Sequence, residues 1–244
     1  MVKNDAGFDS GFYVFPYGVF DGDLNMAIDW VIFTNRLRGW RFYRWSKPTL
    51  SFGKLQKVEN SKTLWKKLKE NGIDLVRRPT GGRAVLHHNE LTYLVVDEVG
   101  KSLMADYFKV AEILIEVLKR KNPAVEVERR SRGTDKFCCF DAPSWGEIKV
   151  NGKKVVGSAQ YRKSGYFLQH GSIVIKPSEF EELVFGKKSQ GMDGWLNGTP
   201  EGLAKEFEEY LISIGGVVIE EDDPLWQEVL EKAFEVREKF AVHI

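Results

Sequence analysis

Three groups of residues in this 244-residue chain are of types and spacings that could do chemistry. The first is Arg77-Arg78-Pro79-Thr80-Gly81-Gly82-Arg83, which sets three guanidinium groups around a glycine turn. Pro79 fixes its own φ and pushes Arg78 toward extended backbone. Gly81 and Gly82 open backbone angles closed to other residues. Such a loop can bring N–H and guanidinium groups onto one small anion or polar carbonyl. The plainer reading is a β-hairpin with solvated arginines, and a glycine-rich turn alone does not decide between the two. An apolar run, Ala84-Val85-Leu86, then ends at His87.

The second group is Cys138-Cys139, which follows the basic stretch Arg129-Arg130-Ser131-Arg132. A thiolate is a strong nucleophile and a good thioester partner. The third runs from Lys153-Lys154 through Gly157-Ser158-Ala159-Gln160 to Gln169-His170-Gly171-Ser172. A lysine ammonium beside a thiol lowers its pKa and can hold the carbonyl oxygen of an acyl group. Glycine at 157 removes the side chain where an apolar tail must pass. Each feature has a plainer reading: Cys139 a small buried hydrophobe, Lys154 a solvated hairpin lysine, His87 and His170 hydrogen-bonded structural residues. No spacing among these residues suits a metal.

Composition narrows the class. Apolar residues make up 43% and charged residues 29%, as in a globular protein with a sizeable core. A net charge of +1 gives no strong field toward nucleic acid or an anionic membrane. Two adjacent cysteines make no disulfide framework, which suits a reducing compartment. The first twenty residues lack the basic start and apolar core of a signal peptide, and no apolar run reaches eighteen residues. The cytoplasm is the expected location.

The elements that must position these residues can be read from periodicity. Residues 12–20 form an edge strand that tolerates Pro16. A helix capped by Asp21 or Asp23 buries Leu24, Ala27, Ile28, Val31 and Ile32, ends near Leu37 and is stopped by Gly39. Strands are expected at Trp40–Trp45, Thr49–Gly53, Leu75–Arg78, Leu91–Val96 and Val125–Val127. Helices are expected at 60–71 and 103–119, the second burying Tyr107, Val110, Ile113, Leu114, Val117 and Leu118. Residues 129–136 read as a loop. Asn151-Gly152 and Lys163-Ser164-Gly165 mark hairpin turns within a β region at 147–175. Strict alternation after Asn151-Gly152 would put Lys154, Val156 and Ser158 on one face and Lys153 on the other. Helices follow at 178–185, 200–214 and 224–239, the last packing through Leu225, Val229, Leu230, Ala233, Phe234 and Val236. The fold class is α+β, a mostly antiparallel mixed sheet flanked by helices. Residues 1–244 read as one domain, with a possible small C-terminal helical addition at 178–244.

The motifs together resemble the lipoate–protein ligase A and octanoyltransferase family. The resemblance rests on Arg77 to His87 with Leu91-Thr92-Tyr93, on Gly152 to Gln160, and on Leu168 to Ser172. Arg41 to Trp45, Pro48 to Gly53 with Gln56, and the helix Asn25-Met26-Ala27-Ile28-Asp29 fit as well. It covers about residues 20–176 and implies a biotin/lipoate-ligase, class II synthetase-like catalytic domain. Cys139-Phe140-Asp141-Ala142-Pro143-Ser144-Trp145 and arginine at 83 resemble the cysteine-dependent octanoyltransferase branch, which is built like the ligase. That branch implies Cys139 as nucleophile and Lys154 as acyl-binding lysine. Arg77, Arg78, Thr80, Gly81, Gly82, Arg83, His87, Gly157, Ser158, Ala159, His170 and Gly171 are then the substrate-binding candidates. The chain departs from the family at His88, Leu94 and Gly146, where aspartate, serine and tyrosine are more usual.

The implied reaction moves an octanoyl or lipoyl group from acyl carrier protein to a lysine of a lipoyl domain of a 2-oxoacid dehydrogenase, or of the glycine-cleavage H protein. It needs no cofactor. The basic residues at 129–132 could meet an acidic carrier. Two other readings stand beside it. One is an ATP- and Mg²⁺-dependent lipoate–protein ligase acting through a lipoyl-adenylate. The other is a non-catalytic module that binds acyl groups or carrier domains. Neither nucleic acid nor membrane is an expected partner.

Overall fold

A computed structural model describes residues 11–58, 62–127, 147–186 and 194–242. Its main sheet has eight strands in the order β11-β1-β2-β6-β10-β9-β8-β7. These are β1 (Tyr13–Phe20), β2 (Gly39–Trp45), β6 (Glu90–Glu98), β7 (Val125–Val127), β8 (Ile148–Val150), β9 (Lys153–Lys163), β10 (Tyr166–Val174) and β11 (Val217–Val218). A second sheet orders β4 (Asp74–Arg77), β3 (Thr49–Phe52) and β5 (Val85–His87) as β4-β3-β5. Pairings from β2 to β7 across the main sheet are antiparallel, whereas β1 runs parallel to both β2 and β11.

Period-two alternation builds two cores. Trp40, Phe42, Leu91, Tyr93 and Val95 point into one, with α3 (Leu103–Lys121) and α5 (Pro200–Ser213) packed over it. Tyr43, Trp45, Leu94 and Val96 point into the other, covered by α1 (Gly22–Thr34) and α6 (Pro224–Val236). The aromatic run at 40–45 is therefore core on both faces. The small sheet has its own cluster, in which Leu50 and Phe52 meet Trp65 and Leu68 of α2 (Lys62–Glu70) and Val184 of α4 (Glu181–Phe185).

Several expectations are refined. Strand β11 covers β1 only at Tyr13 and Val14, so Pro16 lies beyond that pairing. A bulge between Phe15 and Gly18 accommodates its missing N–H on the β2 side. Helix α1 ends at Thr34, short of Leu37, and Arg36 takes a left-handed φ of 56°. Gly39 is not its stop. It opens β2, where a Cβ would sit 2.3 Å from the Tyr13 carbonyl oxygen. Both hairpin turns form with left-handed pairs, Asn151-Gly152 and Ser164-Gly165. On α6 the buried anchor is Trp226, while Phe234 is 53% exposed. Strands β4 and β5 do not form a hairpin; both pair with β3, one on each side. The glycine stretch 79–84 therefore crosses from one side of β3 to the other. Alternation in β9 is broken as well. Ile148 pairs with Val156 and Lys149 with Lys154, so Val155 is the extra residue of a bulge. Val155 and Val156 both enter the first core, and the expected shared face of Lys154 and Val156 is interrupted.

Candidate active site

The two small-residue motifs meet across one strand pair. His170, Gly171 and Ser172 of β10 register against Ala159, Ser158 and Gly157 of β9. Gly171 has no room for a side chain: a Cβ would lie 2.5 Å from the Gly157 carbonyl oxygen and 2.7 Å from the Tyr93 ring. Beside these strands lies a narrow pocket. Met26, Val85, Gly157, Ala159 and Gly171 give it apolar surface, and Ser51, Arg78, His87, His170 and Ser172 give it polar groups. Of the sequence candidates, Arg78, His87, Gly157, Ser158, Ala159, His170 and Gly171 all line this pocket.

Two buried polar networks hold the wall. In the first, Asp29 receives Arg41 Nη1 at 2.9 Å and the Tyr43 hydroxyl at 2.8 Å, and meets His170 Nδ1 at 3.1 Å. His170 Nε2 lies 2.7 Å from the Thr80 hydroxyl. Arg41 Nη2 also donates to Asn25 Oδ1 at 2.7 Å. Arg41 and Asp29 side chains are both 0% exposed. Burying such a pair costs several kcal/mol of desolvation per ion (roughly), which only multiple good hydrogen bonds offset. Burial pulls the Arg41 pKa down and pushes the Tyr43 hydroxyl well up. It also lowers the His170 pKa, against the opposing pull of Asp29, and so favours neutral imidazole there.

In the second network, Glu90 Oε1 takes three partners: His87 Nδ1 at 2.7 Å, the Thr92 hydroxyl at 2.7 Å and the Ser172 hydroxyl at 2.8 Å. His87 Nε2 lies 2.7 Å from the Ser51 hydroxyl, and the imidazole stacks on Trp45 at 4.1 Å. Both histidines are thus fixed in orientation at both ring nitrogens while facing the pocket.

The arginine–glycine loop folds on itself. Arg78 is buried and donates to the Ser51 carbonyl at 3.1 Å, the Gly81 carbonyl at 2.8 Å and the Arg83 carbonyl at 2.6 Å. Gly82 takes φ +94°, and a Cβ there would lie 2.8 Å from Arg78 Nη2. Gly81 has open space and needs no such angle. Arg77 donates to the carbonyls of Gly53 and Gln56, each at 2.9 Å. Arg77, Thr80, Gly81, Gly82 and Arg83 are outside the pocket lining, with Thr80 one hydrogen bond behind it.

Lys154 is also outside that lining. Its ammonium lies 2.5 Å from Glu147 Oε1, with side chains 7% and 3% exposed. Glu147 Oε2 is buried with no hydrogen-bond partner among the described residues. Cys139, the nucleophile candidate, lies outside the described residues, as do Cys138 and the basic stretch 129–132. Among the described residues no group of three or more His, Cys, Asp or Glu is placed to hold a metal. No helix among them is long and apolar enough to cross a membrane.

Sequence reasoning named Asp29 only as part of the Asn25–Asp29 helix and gave no site role to it, to Glu90 or to Glu147. Asn25 and Asp29 did carry a signal, being polar residues four apart on an otherwise apolar helix face. Glu90 stands three residues after His87. Glu147 precedes a strand with no pattern to mark it.

Comparison with known proteins now decides the family. The lipoyl protein ligase A/B catalytic domain matches residues 21–204, three quarters of the chain and every pocket residue. The chain belongs to this family. Among its relatives is octanoyltransferase LipM of Moorella thermoacetica, 45% identical over 172 residues, covering 65% of this chain and 63% of that protein. Octanoyltransferase LipM of Halalkalibacterium halodurans is 34% identical over 233 residues, covering 88% and 80%. The chain spans somewhat under two thirds of the length of several such relatives, 62% for that of Carboxydothermus hydrogenoformans. A lipoate-protein ligase A crystal structure bound with ATP superposes with a TM-score of 0.71 at 18% identity, over 93% of this chain and 94% of that one. That likeness establishes the lipoyl ligase fold.

Proposed function

We propose that this lipoyl ligase A/B family member is a protein acyltransferase that moves an octanoyl group from a carrier thioester to a protein lysine. The observation that carries the reading is the likeness to LipM octanoyltransferases, beside a family match at residues 21–204 that spans every pocket residue. The Cys139 thiolate attacks the thioester carbonyl of octanoyl acyl carrier protein, and the carrier's thiolate leaves. The ε-amine of a lysine on a lipoyl domain or H protein then attacks the acyl-cysteine. An amide forms, the Cys139 thiolate leaves, and the amine's proton is released. Backbone N–H groups stabilise the oxyanion at each tetrahedral stage, and Lys154 joins them when its ammonium turns from Glu147 toward the acyl carbonyl. The pocket's glycines and Met26 take the alkyl chain. The chemistry consumes no nucleotide, because the thioester is already activated. A cytoplasmic location suits both protein partners.

Intact mass measured after incubation with octanoyl acyl carrier protein, without ATP, tests this. The expected result is a gain of one octanoyl group, lost on hydroxylamine treatment and absent in Cys139→Ala. An unmodified wild-type protein that instead charges its acceptor from free lipoate and ATP would establish a ligase.

A further inference from the structure

Leu55 is 89% exposed, more than any other large hydrophobic side chain among the described residues. A lone exposed leucine is ordinary. This one is held out by a fixed loop. Arg77 donates to the Gly53 and Gln56 carbonyls at 2.9 Å each, and the Lys54 N–H donates to the Thr80 carbonyl at 2.8 Å. The Gln56 N–H closes back on the Gly53 carbonyl at 2.9 Å. Gly53 sits so close to the glycine loop that a Cβ would lie 2.0 Å from the Gly82 carbonyl oxygen.

The two loops that meet here are cationic. Residues 51–58 and 77–86 contain Lys54, Lys57, Arg77, Arg78 and Arg83 and no Asp or Glu, in a chain with 36 basic and 35 acidic residues. Lys54 and Lys57 are exposed, and the Lys54 ammonium sits 4.4 Å above the Tyr161 ring of β9. The patch adjoins the pocket. Ser51, two residues before Gly53, lines it, and Thr80, bonded to Lys54, is bonded in turn to the pocket's His170.

We propose that the loop 53–58 is the docking surface for the acidic carrier protein that delivers the acyl thioester, with Leu55 as its apolar anchor and Lys54 and Lys57 as its charge contacts. This rests on the acyltransfer reading. The donor fits better than the acceptor because its acyl group arrives on an arm joined through a phosphodiester. Such an arm brings negative charge to the rim and an alkyl chain to the apolar pocket. A fixed loop loses little conformational freedom on docking, and cations around it raise the association rate with an acidic partner.

The test compares wild type with Lys54→Glu/Lys57→Glu and with Leu55→Asp. Single-turnover acyl-enzyme formation is followed from octanoyl acyl carrier protein and from the octanoyl thioester of N-acetylcysteamine. The expected result is loading from the carrier slowed about tenfold or more at low salt, with loading from the small thioester unchanged. The charge-reversal defect should shrink as salt shortens the range of the field. Equal carrier loading by wild type and variants would overturn the proposal. So would equal slowing with both donors, which makes the loop part of the pocket, or a defect confined to transfer onto the acceptor. A wild-type protein that forms no acyl-enzyme from either donor sinks the acyltransfer reading itself, and the docking proposal with it.

Discussion

At the scale of single residues, Glu147 and Lys154 form a nearly buried ion pair. Their side chains are 3% and 7% exposed, so neither charge is compensated by water. Removing the carboxylate takes away the buried group that lies 2.5 Å from the ammonium. Glu147→Ala should therefore lower stability by about 3 kcal/mol or more, read from urea unfolding. Glu147→Gln keeps a hydrogen-bond acceptor, and its loss should be smaller. Equal and negligible losses in both would show that the pair contributes nothing. His170 gives a pH prediction. Burial lowers its folded pKa below the ordinary 6.5. Below 6.5 the unfolded chain binds a proton that the folded protein does not, so stability falls as pH falls and is regained as pH rises. The stability difference between wild type and His170→Gln should grow as pH rises toward 6.5 and level off above it. A difference that is flat with pH would mean that the imidazole titrates alike in both states.

The strand pair β9–β10 is the element on which the site depends, and its tolerance for side chains is asymmetric. Gly171→Ala places a methyl against the Gly157 carbonyl and the Tyr93 ring, neither of which is a flexible side-chain end. A loss of about 1–3 kcal/mol in urea unfolding is expected. Gly81→Ala, with open space around it, should cost far less. These elements were legible in the sequence because hairpin turns and period-two alternation are local. Asn151-Gly152, Ser164-Gly165 and the alternating Trp40–Trp45 could be read directly. The pairing of β4 and β5 with β3, the bulge at Val155 and the parallel entry of β1 could not be, because partner choice and bulges are set by distant packing. The site divides the same way. His87, Gly157–Ala159, His170 and Gly171 stood out by residue type. The carboxylates Asp29, Glu90 and Glu147 did not, since a buried acid looks like a surface one until its partner is placed.

For the whole molecule, the question is whether the helices after residue 178 are an addition or part of the core. Phe207 and Leu211 of α5 lie in the same cluster as Trp40, Tyr93 and Val117, and the rings of Phe42 and Phe207 stack at 4.7 Å. Trp226, Val229 and Ala233 of α6 lie with Ile28 and Ile32 of α1. Arg237 reaches back to Asp23 at 2.7 Å, and the Phe240 carbonyl accepts from the Arg77 N–H at 2.8 Å. Strand β11, between α5 and α6, pairs directly with β1. Each sheet face thus has one covering helix from the first half of the chain and one from the second. Removing α5 or α6 would take Phe207 and Leu211, or Trp226, Val229 and Ala233, out of these clusters and expose apolar surface at about 25 cal/mol for each Å². We propose on this ground that the chain opens as one cooperative unit. Native-state hydrogen exchange checks it at the amides of Phe207 and Leu211 in α5, Val229 and Ala233 in α6, and Tyr93 and Val95 in β6. Their opening free energies should converge on a single value as denaturant rises. Exchange from α5 and α6 through an opening several kcal/mol (roughly) below that of β6 would make the C-terminal helices a separately folding addition.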